Sequence, residues 1–178
     1  MSRLTLITGG TRSGKSSLAL DLALEGYSKR VFIATAVALD PEMRERISRH
    51  QKERGHRFQT VEEPLELHRA LVDLPRDTEV AVVDCLTVWL GNLYHHADGA
   101  GSNVMAILED FLDGLDRVPC DLILVTNEVG CGIVPDNALA RSFRDTAGYL
   151  NRKLAEKAAR AYFVCMGIPL TLKGTPSE

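Results

Sequence analysis

The chain has 178 residues, of which 45% are hydrophobic and 25% are charged. This composition excludes disorder, collagen-like repeats and a disulfide-rich miniprotein. The length predicts a single domain over residues 1–178, since one domain takes about 150 residues. The 21 basic and 24 acidic residues give a net charge of −3, which does not favour nucleic-acid binding. The four cysteines form no CxxC pair, and no secretory leader or membrane-spanning run is found, so we expect a cytoplasmic protein with reduced thiols.

Short apolar runs alternate with longer helical patterns, which is typical of a parallel sheet covered by helices on both faces. Strands are predicted, in chain order, at Leu4–Thr8, Arg30–Thr35, Phe58–Val61, Val80–Asp84, Leu122–Thr126 and Ala161–Met166, with an edge strand at Pro169–Leu172. Helices are predicted at Lys15–Glu25, Asp40–Arg54, Leu65–Leu74, Leu86–His95, Val104–Val118 and Asn137–Arg160. The order of these elements favours the α/β class with a mainly parallel central sheet.

The turn between the first strand and the first helix matches the phosphate-loop pattern GxxxxGK[ST]. Glycines let backbone amides converge on phosphate oxygens, and the helix N-terminus supplies positive potential. Lys15 is expected to reach the outer phosphates and Ser16 to ligate Mg²⁺. With this loop the fold prediction becomes a three-layer P-loop NTPase of the RecA-like type. The expected nucleotide-binding residues of the loop are Gly9, Gly10, Thr11, Arg12, Ser13, Gly14, Lys15 and Ser16.

Asp84 ends the apolar strand Val80–Asp84 and is the second expected metal ligand. A strand-terminal carboxylate can hold the magnesium ion of a P-loop enzyme or its water on the side away from Ser16. An aspartate that only caps the following turn is the alternative. The presence of the phosphate loop favours the metal or substrate role.

His50 lies in a segment, Glu42–Arg57, that contains six basic and three acidic residues. On a helix, His50 shares one face with Met43, Ile47 and Arg54, because they are spaced by four, three and four residues. Nearby cations lower the pKa of an imidazole and keep it neutral, as a nucleophile must be. The alternative for a single histidine is a half-buried side chain bonded to a backbone carbonyl.

Blocks over almost the whole chain resemble the bifunctional adenosylcobinamide kinase / adenosylcobinamide-phosphate guanylyltransferase family. The blocks follow one another in the family's order, and the VTNEVG, GIVP and FRD series is more specific than a phosphate loop. Two positions differ from the frequent family residues: Phe58 replaces Trp and Arg152 replaces Gln. The matching blocks are Gly9–Ser16, Phe32–Ala36, Arg46–His50, Thr60–Glu62, Val83–Thr87, Val125–Gly130, Gly132–Pro135, Arg141, Phe143–Asp145, Gly148 and Asn151.

The resemblance implies an enzyme with two activities. The first phosphorylates the aminopropanol hydroxyl of adenosylcobinamide with ATP or GTP, and the second transfers GMP from GTP to adenosylcobinamide phosphate. It also implies Mg²⁺, a guanylyl-histidine intermediate at His50 and Lys15 as the second catalytic residue. From the same resemblance we expect a homo-oligomer, namely a homotrimer. Beyond the phosphate loop, the nucleotide-contacting positions that it implies are Ala34, Thr35, Ala36, Gln51, Lys52, Glu53, Arg54, Glu62 and Asp84.

Two other functions fit the phosphate loop. One is a small-molecule kinase of the shikimate or nucleoside monophosphate type, which forms no covalent intermediate. The other is a GTPase-like switch, although the segment Thr126–Val129 does not have the NKxD base-reading motif of such switches. A phosphate loop usually holds the β- and γ-phosphates, whereas guanylylation needs attack on the α-phosphorus. We therefore expect either that the His50 helix moves or that GTP binds in two poses.

Overall fold

The computed structural model describes residues 3–37, 55–96 and 103–174. Its strands are β1 (Leu4–Gly9), β2 (Arg30–Ala34), β3 (Gln59–Glu62), β4 (Val80–Asp84), β5 (Asp121–Val125), β6 (Arg160–Cys165) and β7 (Ile168–Lys173). Its helices are α1 (Lys15–Gly26), α2 (Leu67–Val72), α3 (Leu86–His96), α4 (Val104–Gly114) and α5 (Ala138–Lys157), with short 3₁₀ helices at Gly55–Arg57 and Leu115–Arg117. None of the helices within these residues has the length and apolarity needed to cross a membrane.

The seven strands form one sheet in the order β3-β2-β4-β5-β1-β6-β7. The pairs among β1 to β6 are all parallel, and only β7 runs antiparallel, against β6. Parallel strands bring their carboxyl ends to one edge of the sheet, where ligands of open α/β sheets bind. The carboxyl edge therefore collects the residues that follow β1 to β6.

Both faces of the inner strands of the sheet are buried, which explains their nearly continuous apolar sequences, whereas the edge strands β3 and β7 are mostly exposed. Alternate strand residues such as Leu6, Val83 and Leu124 pack against α2 to α5. Their neighbours Ile7, Val82 and Ile123 face the other side, where Ala19 and Ala23 of α1 pack. The predicted parallel α/β sheet with helices on both faces is confirmed.

Several predicted boundaries differ from the structure for identifiable reasons. The last long helix ends at Lys157 rather than at Arg160, because Arg160 already pairs with Thr5 in the sheet. The first helix, predicted to end at Glu25, includes Gly26 as its last residue, and Tyr27 is the cap. The fourth helix ends at Gly114 and continues to Arg117 only as a 3₁₀ turn.

Smaller differences affect other elements. The Leu65–Leu74 prediction shortens to α2, and the Phe58–Val61 strand is shifted by one residue. The strand predicted to run to Met166 ends at Cys165, because Met166 and Gly167 form the turn into β7 with φ values of 52° and 81°. The predicted helix at Asp40–Arg54 lies outside the described residues.

Candidate active site

The phosphate loop connects β1 to α1 through backbone conformations that require glycine at two positions. Gly9 has a φ of 148°, and a Cβ atom there would lie 2.2 Å from the carbonyl oxygen of Val164. Gly14, with a φ of 101°, is the left-handed residue that precedes α1. The loop therefore has the glycine-dependent turn and the helix N-terminus that anion binding uses.

Lys15 lies in the first turn of α1, and its side chain turns back into the loop. Its Nζ donates to the carbonyl oxygen of Gly10 at 2.5 Å and to Oγ of Ser13 at 3.4 Å. Burial lowers the pKa of Lys15, while the nearby Cys85 and Asp84 act in the opposite direction. The ammonium group is thus held among the loop atoms that are expected to face phosphate oxygens.

The carboxyl edge brings several predicted residues together on neighbouring strands. Ala34 at the end of β2 is in register with Glu62 of β3 and with Asp84 of β4. Strand β5 separates β4 from β1, so Asp84 and the phosphate loop follow strands about 10 Å apart. Of the two strand-end carboxylates, Asp84 is therefore the nearer to the phosphate loop, since β3 with Glu62 lies two strands further along the sheet.

Thr35, which was expected to contact nucleotide, has a side chain with a structural task. Its hydroxyl donates to the carbonyl oxygen of Cys85 at 2.8 Å and accepts from the Cys85 amide at 3.0 Å. Thr35 is fully buried, and Asn92 donates to its carbonyl oxygen at 2.8 Å. The side chain therefore joins the ends of β2 and β4, and a contact with nucleotide would have to come from the backbone of this segment.

Glu128 and Asn127 follow β5 and were not among the expected site residues. The Glu128 amide donates to the carbonyl oxygen of Gly9 at 3.1 Å, which fixes Glu128 beside the phosphate loop. One oxygen of its carboxylate accepts from the Gly130 amide at 2.5 Å, and the other has no hydrogen-bond donor within the described ranges. The sequence did contain a signal for a site here, because polar residues that directly follow a buried strand lie at the carboxyl edge of the sheet, and these two belong to the VTNEVG block.

A network of polar side chains holds the Asn127–Glu128 segment in place. The Thr126 hydroxyl donates to Oδ1 of Asn151 at 2.8 Å, and Nδ2 of Asn151 donates to the carbonyl oxygen of Asn127 at 3.2 Å. The hydroxyl of Thr87 accepts from the Asn127 amide at 2.7 Å. Residues from α3 and α5, together with Thr126 directly after β5, thus position the segment, and α5 contributes from more than twenty residues away in sequence.

Comparison with known proteins matches residues 5–172 of the chain to the model of one family, cobinamide kinase / cobinamide phosphate guanyltransferase. A relative from Pseudomonas aeruginosa, the bifunctional adenosylcobalamin biosynthesis protein CobP, is 42% identical over 171 residues, which cover 96% of this chain and 98% of that protein. The Escherichia coli protein CobU, named in the same way, is 37% identical over 96% of this chain and 99% of its own length. The chain belongs to this family. It is therefore an enzyme, and the resemblance found in the sequence is confirmed.

Solved structures with low sequence identity show the same fold. The RadB recombinase matches with a TM-score of 0.51 and 19% identity, over 90% of this chain and 73% of that one. The flagellar accessory protein FlaH from Methanocaldococcus jannaschii matches with a TM-score of 0.53 and 14% identity, over 97% and 79%. These matches confirm the predicted P-loop NTPase fold of the RecA-like type.

Within the family's chemistry, Ser16 and Asp84 have the oxygen ligands that Mg²⁺ prefers. Magnesium is usually held by one or two protein oxygens together with substrate phosphates and water, so a hydroxyl and a carboxylate fit it. The described ranges contain no cluster of three or more histidine, cysteine or carboxylate side chains that could hold a metal without substrate. Both residues are partly exposed at the carboxyl edge. Their role as ligands stays a prediction.

The expected residues His50, Gln51, Lys52, Glu53 and Arg54 lie outside the described residues. Glu62, by contrast, ends β3 in register with Ala34, and Ala36 follows the buried Thr35. The structure therefore brings the phosphate loop, Ala34, Glu62 and Asp84 to one edge, and it adds Glu128 to them.

Proposed function

We propose that this enzyme phosphorylates adenosylcobinamide with ATP or GTP and then transfers GMP from GTP to the product, giving adenosylcobinamide-GDP and pyrophosphate. The observation that carries the proposal is the phosphate loop with Lys15 at the carboxyl edge of a chain that matches the family over residues 5–172. The relatives' names as bifunctional adenosylcobalamin biosynthesis proteins support both activities in one chain. Its substrates would then be a corrinoid alcohol, the corresponding phosphate and a nucleoside triphosphate.

In the kinase step, the acceptor hydroxyl oxygen attacks the γ-phosphorus and the bond from that phosphorus to the β–γ bridging oxygen breaks. Lys15 would exchange its hydrogen bond with Gly10 for one with the phosphates and stabilise the charge on the leaving nucleoside diphosphate. A magnesium ion held by Ser16 and Asp84 would supply further charge neutralisation. We assign Glu128 as the general base that accepts the proton of the hydroxyl. This residue follows β5 and is hydrogen-bonded through its amide to Gly9.

In the guanylyl step, an imidazole nitrogen of His50 attacks the α-phosphorus of GTP and pyrophosphate leaves. An oxygen of the acceptor phosphate then attacks the same phosphorus, the phosphorus–nitrogen bond breaks and the histidine is regenerated. The basic residues near His50 in sequence, Arg49, Lys52 and Arg54, would neutralise the pyrophosphate. The support for His50 is its place in the matching Arg46–His50 block, and this step is the part of the proposal that most needs a direct experiment.

The test is intact-protein mass spectrometry after incubation with GTP and Mg²⁺. We expect one added GMP, a site at His50 by peptide mapping, and no adduct for His50→Ala. His56→Ala is the matched control, because His56 is an exposed histidine of the same basic segment and should leave the adduct unchanged. An adduct that persists in His50→Ala refutes the assigned nucleophile. Corrinoid phosphorylation with no adduct in the wild type supports a kinase without a covalent intermediate.

A further inference from the structure

A groove of about 620 Å³ lies between α3, the loop after β5 and the start of α5. Its walls are mainly apolar, and its volume lies within the usual range for small-molecule sites. The apolar lining residues are Tyr94, Val129, Pro135, Leu139, Ala140 and Phe143. The rings of Tyr94 and Phe143 meet edge to face, with centroids 5.7 Å apart. One wall of the groove is therefore formed by two aromatic rings that pack against each other.

Three apolar side chains in and next to this groove are exposed to water, although burial of apolar surface is normally favoured. Leu139 is 49% exposed in the first turn of α5. In the adjoining loop Val134 is 59% and Ile133 is 96% exposed. Exposed apolar side chains next to an apolar groove are typical of a binding site in a folded protein.

The groove adjoins the phosphate loop through two consecutive residues. Glu128 is bonded to Gly9 of the loop, and the next residue, Val129, lines the groove. A molecule in the groove would therefore contact Val129, the neighbour in sequence of Glu128, which we assign as the base for the acceptor hydroxyl. Its apolar walls do not suit a triphosphate, so the corrinoid acceptor of the proposed function, rather than the nucleotide, fits this place.

The lining of the groove also includes an arginine. Arg144 lines the groove, is half-buried, and donates to the carbonyl oxygen of Gly130 at 2.7 Å. No carboxylate pairs with it anywhere in residues 3–37, 55–96 and 103–174. A guanidinium has five donors in a planar fork, and only one of them is used here, so Arg144 can contact a phosphate as well.

We propose that this groove is the binding site for the corrinoid acceptor, an inference that rests on the proposed function. The apolar walls contact the face and methyl groups of the macrocycle, part of which extends beyond the groove. The phosphate formed in the first reaction lies against Arg144, which holds it for the second. Arg144 is thus a specificity residue for the phosphorylated acceptor, and Leu139 is a contact for the ring.

The first test is Leu139→Glu, which puts a charge on the apolar wall at an exposed helical position. Equilibrium dialysis of cobinamide, followed by its visible absorbance, should show affinity reduced at least about tenfold, or about 1.4 kcal/mol. The KM for the nucleotide should stay unchanged. Met105→Glu is the matched control, since Met105 is also the second residue of its helix and is 40% exposed, and it should bind as the wild type does.

The second test is Arg144→Gln, measured with cobinamide and with cobinamide phosphate. We expect a loss of affinity for the phosphate that is at least about five times greater than the loss for the alcohol, as for removal of a charged hydrogen bond worth about 1 kcal/mol or more. A purely structural role through Gly130 would weaken both ligands equally. Equal losses therefore overturn the role of Arg144.

The outcomes separate this inference from the proposed function. Unchanged cobinamide affinity in Leu139→Glu overturns the groove assignment, whether or not the substitution changes the oligomeric state. Binding in the wild type without a guanylyl adduct contradicts only the histidine chemistry. A wild type that neither binds nor phosphorylates cobinamide contradicts the proposed function and the groove assignment together.

Discussion

Replacing Gly9 by alanine should destabilise the whole fold, because this glycine lies where the phosphate loop meets the sheet. The φ of 148° costs a residue with a Cβ about 1–3 kcal/mol. The new Cβ would lie 2.2 Å from the carbonyl oxygen of Val164, which is backbone of the adjacent β6 and cannot rotate away. Relieving that overlap costs about another 1–3 kcal/mol. We expect a total of about 2–6 kcal/mol, a large part of a stability of about 5–15 kcal/mol.

Gly10→Ala provides the matched control one residue later. A Cβ on Gly10 meets no atom within 4 Å, and its φ lies outside the left-handed region. Urea unfolding followed by circular dichroism should therefore give Gly10→Ala a midpoint near that of the wild type. Gly9→Ala should unfold about 1–3 M earlier for a denaturant slope near 2 kcal/mol/M. A Gly9→Ala midpoint no lower than that of Gly10→Ala refutes the steric argument.

Three further predictions concern side chains of the site and the thiols. Burial raises the pKa of Cys85 to about 11, so its thiolate stays scarce until the pH approaches that value. Iodoacetamide at pH 8 should modify the exposed Cys131 first, and equal rates of modification for the two would contradict the burial. Lys15→Met should lower kcat/KM for phosphoryl transfer about 10²–10³-fold. Glu128→Gln should reduce corrinoid phosphorylation about 10²-fold or more while nucleotide affinity stays the same; full activity would exclude Glu128 as the base.

The inner strands were predictable from the sequence because both of their faces are buried. Val80–Asp84 is bounded in the structure as the apolar run predicts, and β1 differs from its prediction by one residue. The phosphate loop was also predictable, since its chemistry depends on a short local pattern. Local signals of this kind identify the strand, the loop and the helix that follows, and with them the fold.

The parts that escaped prediction depend on contacts between distant residues. Nothing near Asn151 in sequence indicates that its side chain holds Asn127, because α5 returns to β5 only in the folded sheet. Thr35 was expected to contact nucleotide because of its block, and no local feature indicates its two hydrogen bonds with Cys85. The groove is likewise built from α3, a loop and α5. The sequence pattern of each segment does not specify that these three segments pack next to one another.

The hairpin turn between β6 and β7 supports the phosphate loop directly. The Gly167 amide donates to the carbonyl oxygen of Ser13 at 2.8 Å, and Gly14 packs so closely on Gly167 that a Cβ would lie 3.3 Å from its Cα. These partners are more than 150 positions apart in sequence. During synthesis the phosphate loop therefore leaves the ribosome long before the hairpin turn that contacts it. A nascent chain that stops short of this hairpin carries the complete phosphate-loop motif without its support, and contacts of such long range form slowly. Competence to bind nucleotide should therefore appear late in synthesis.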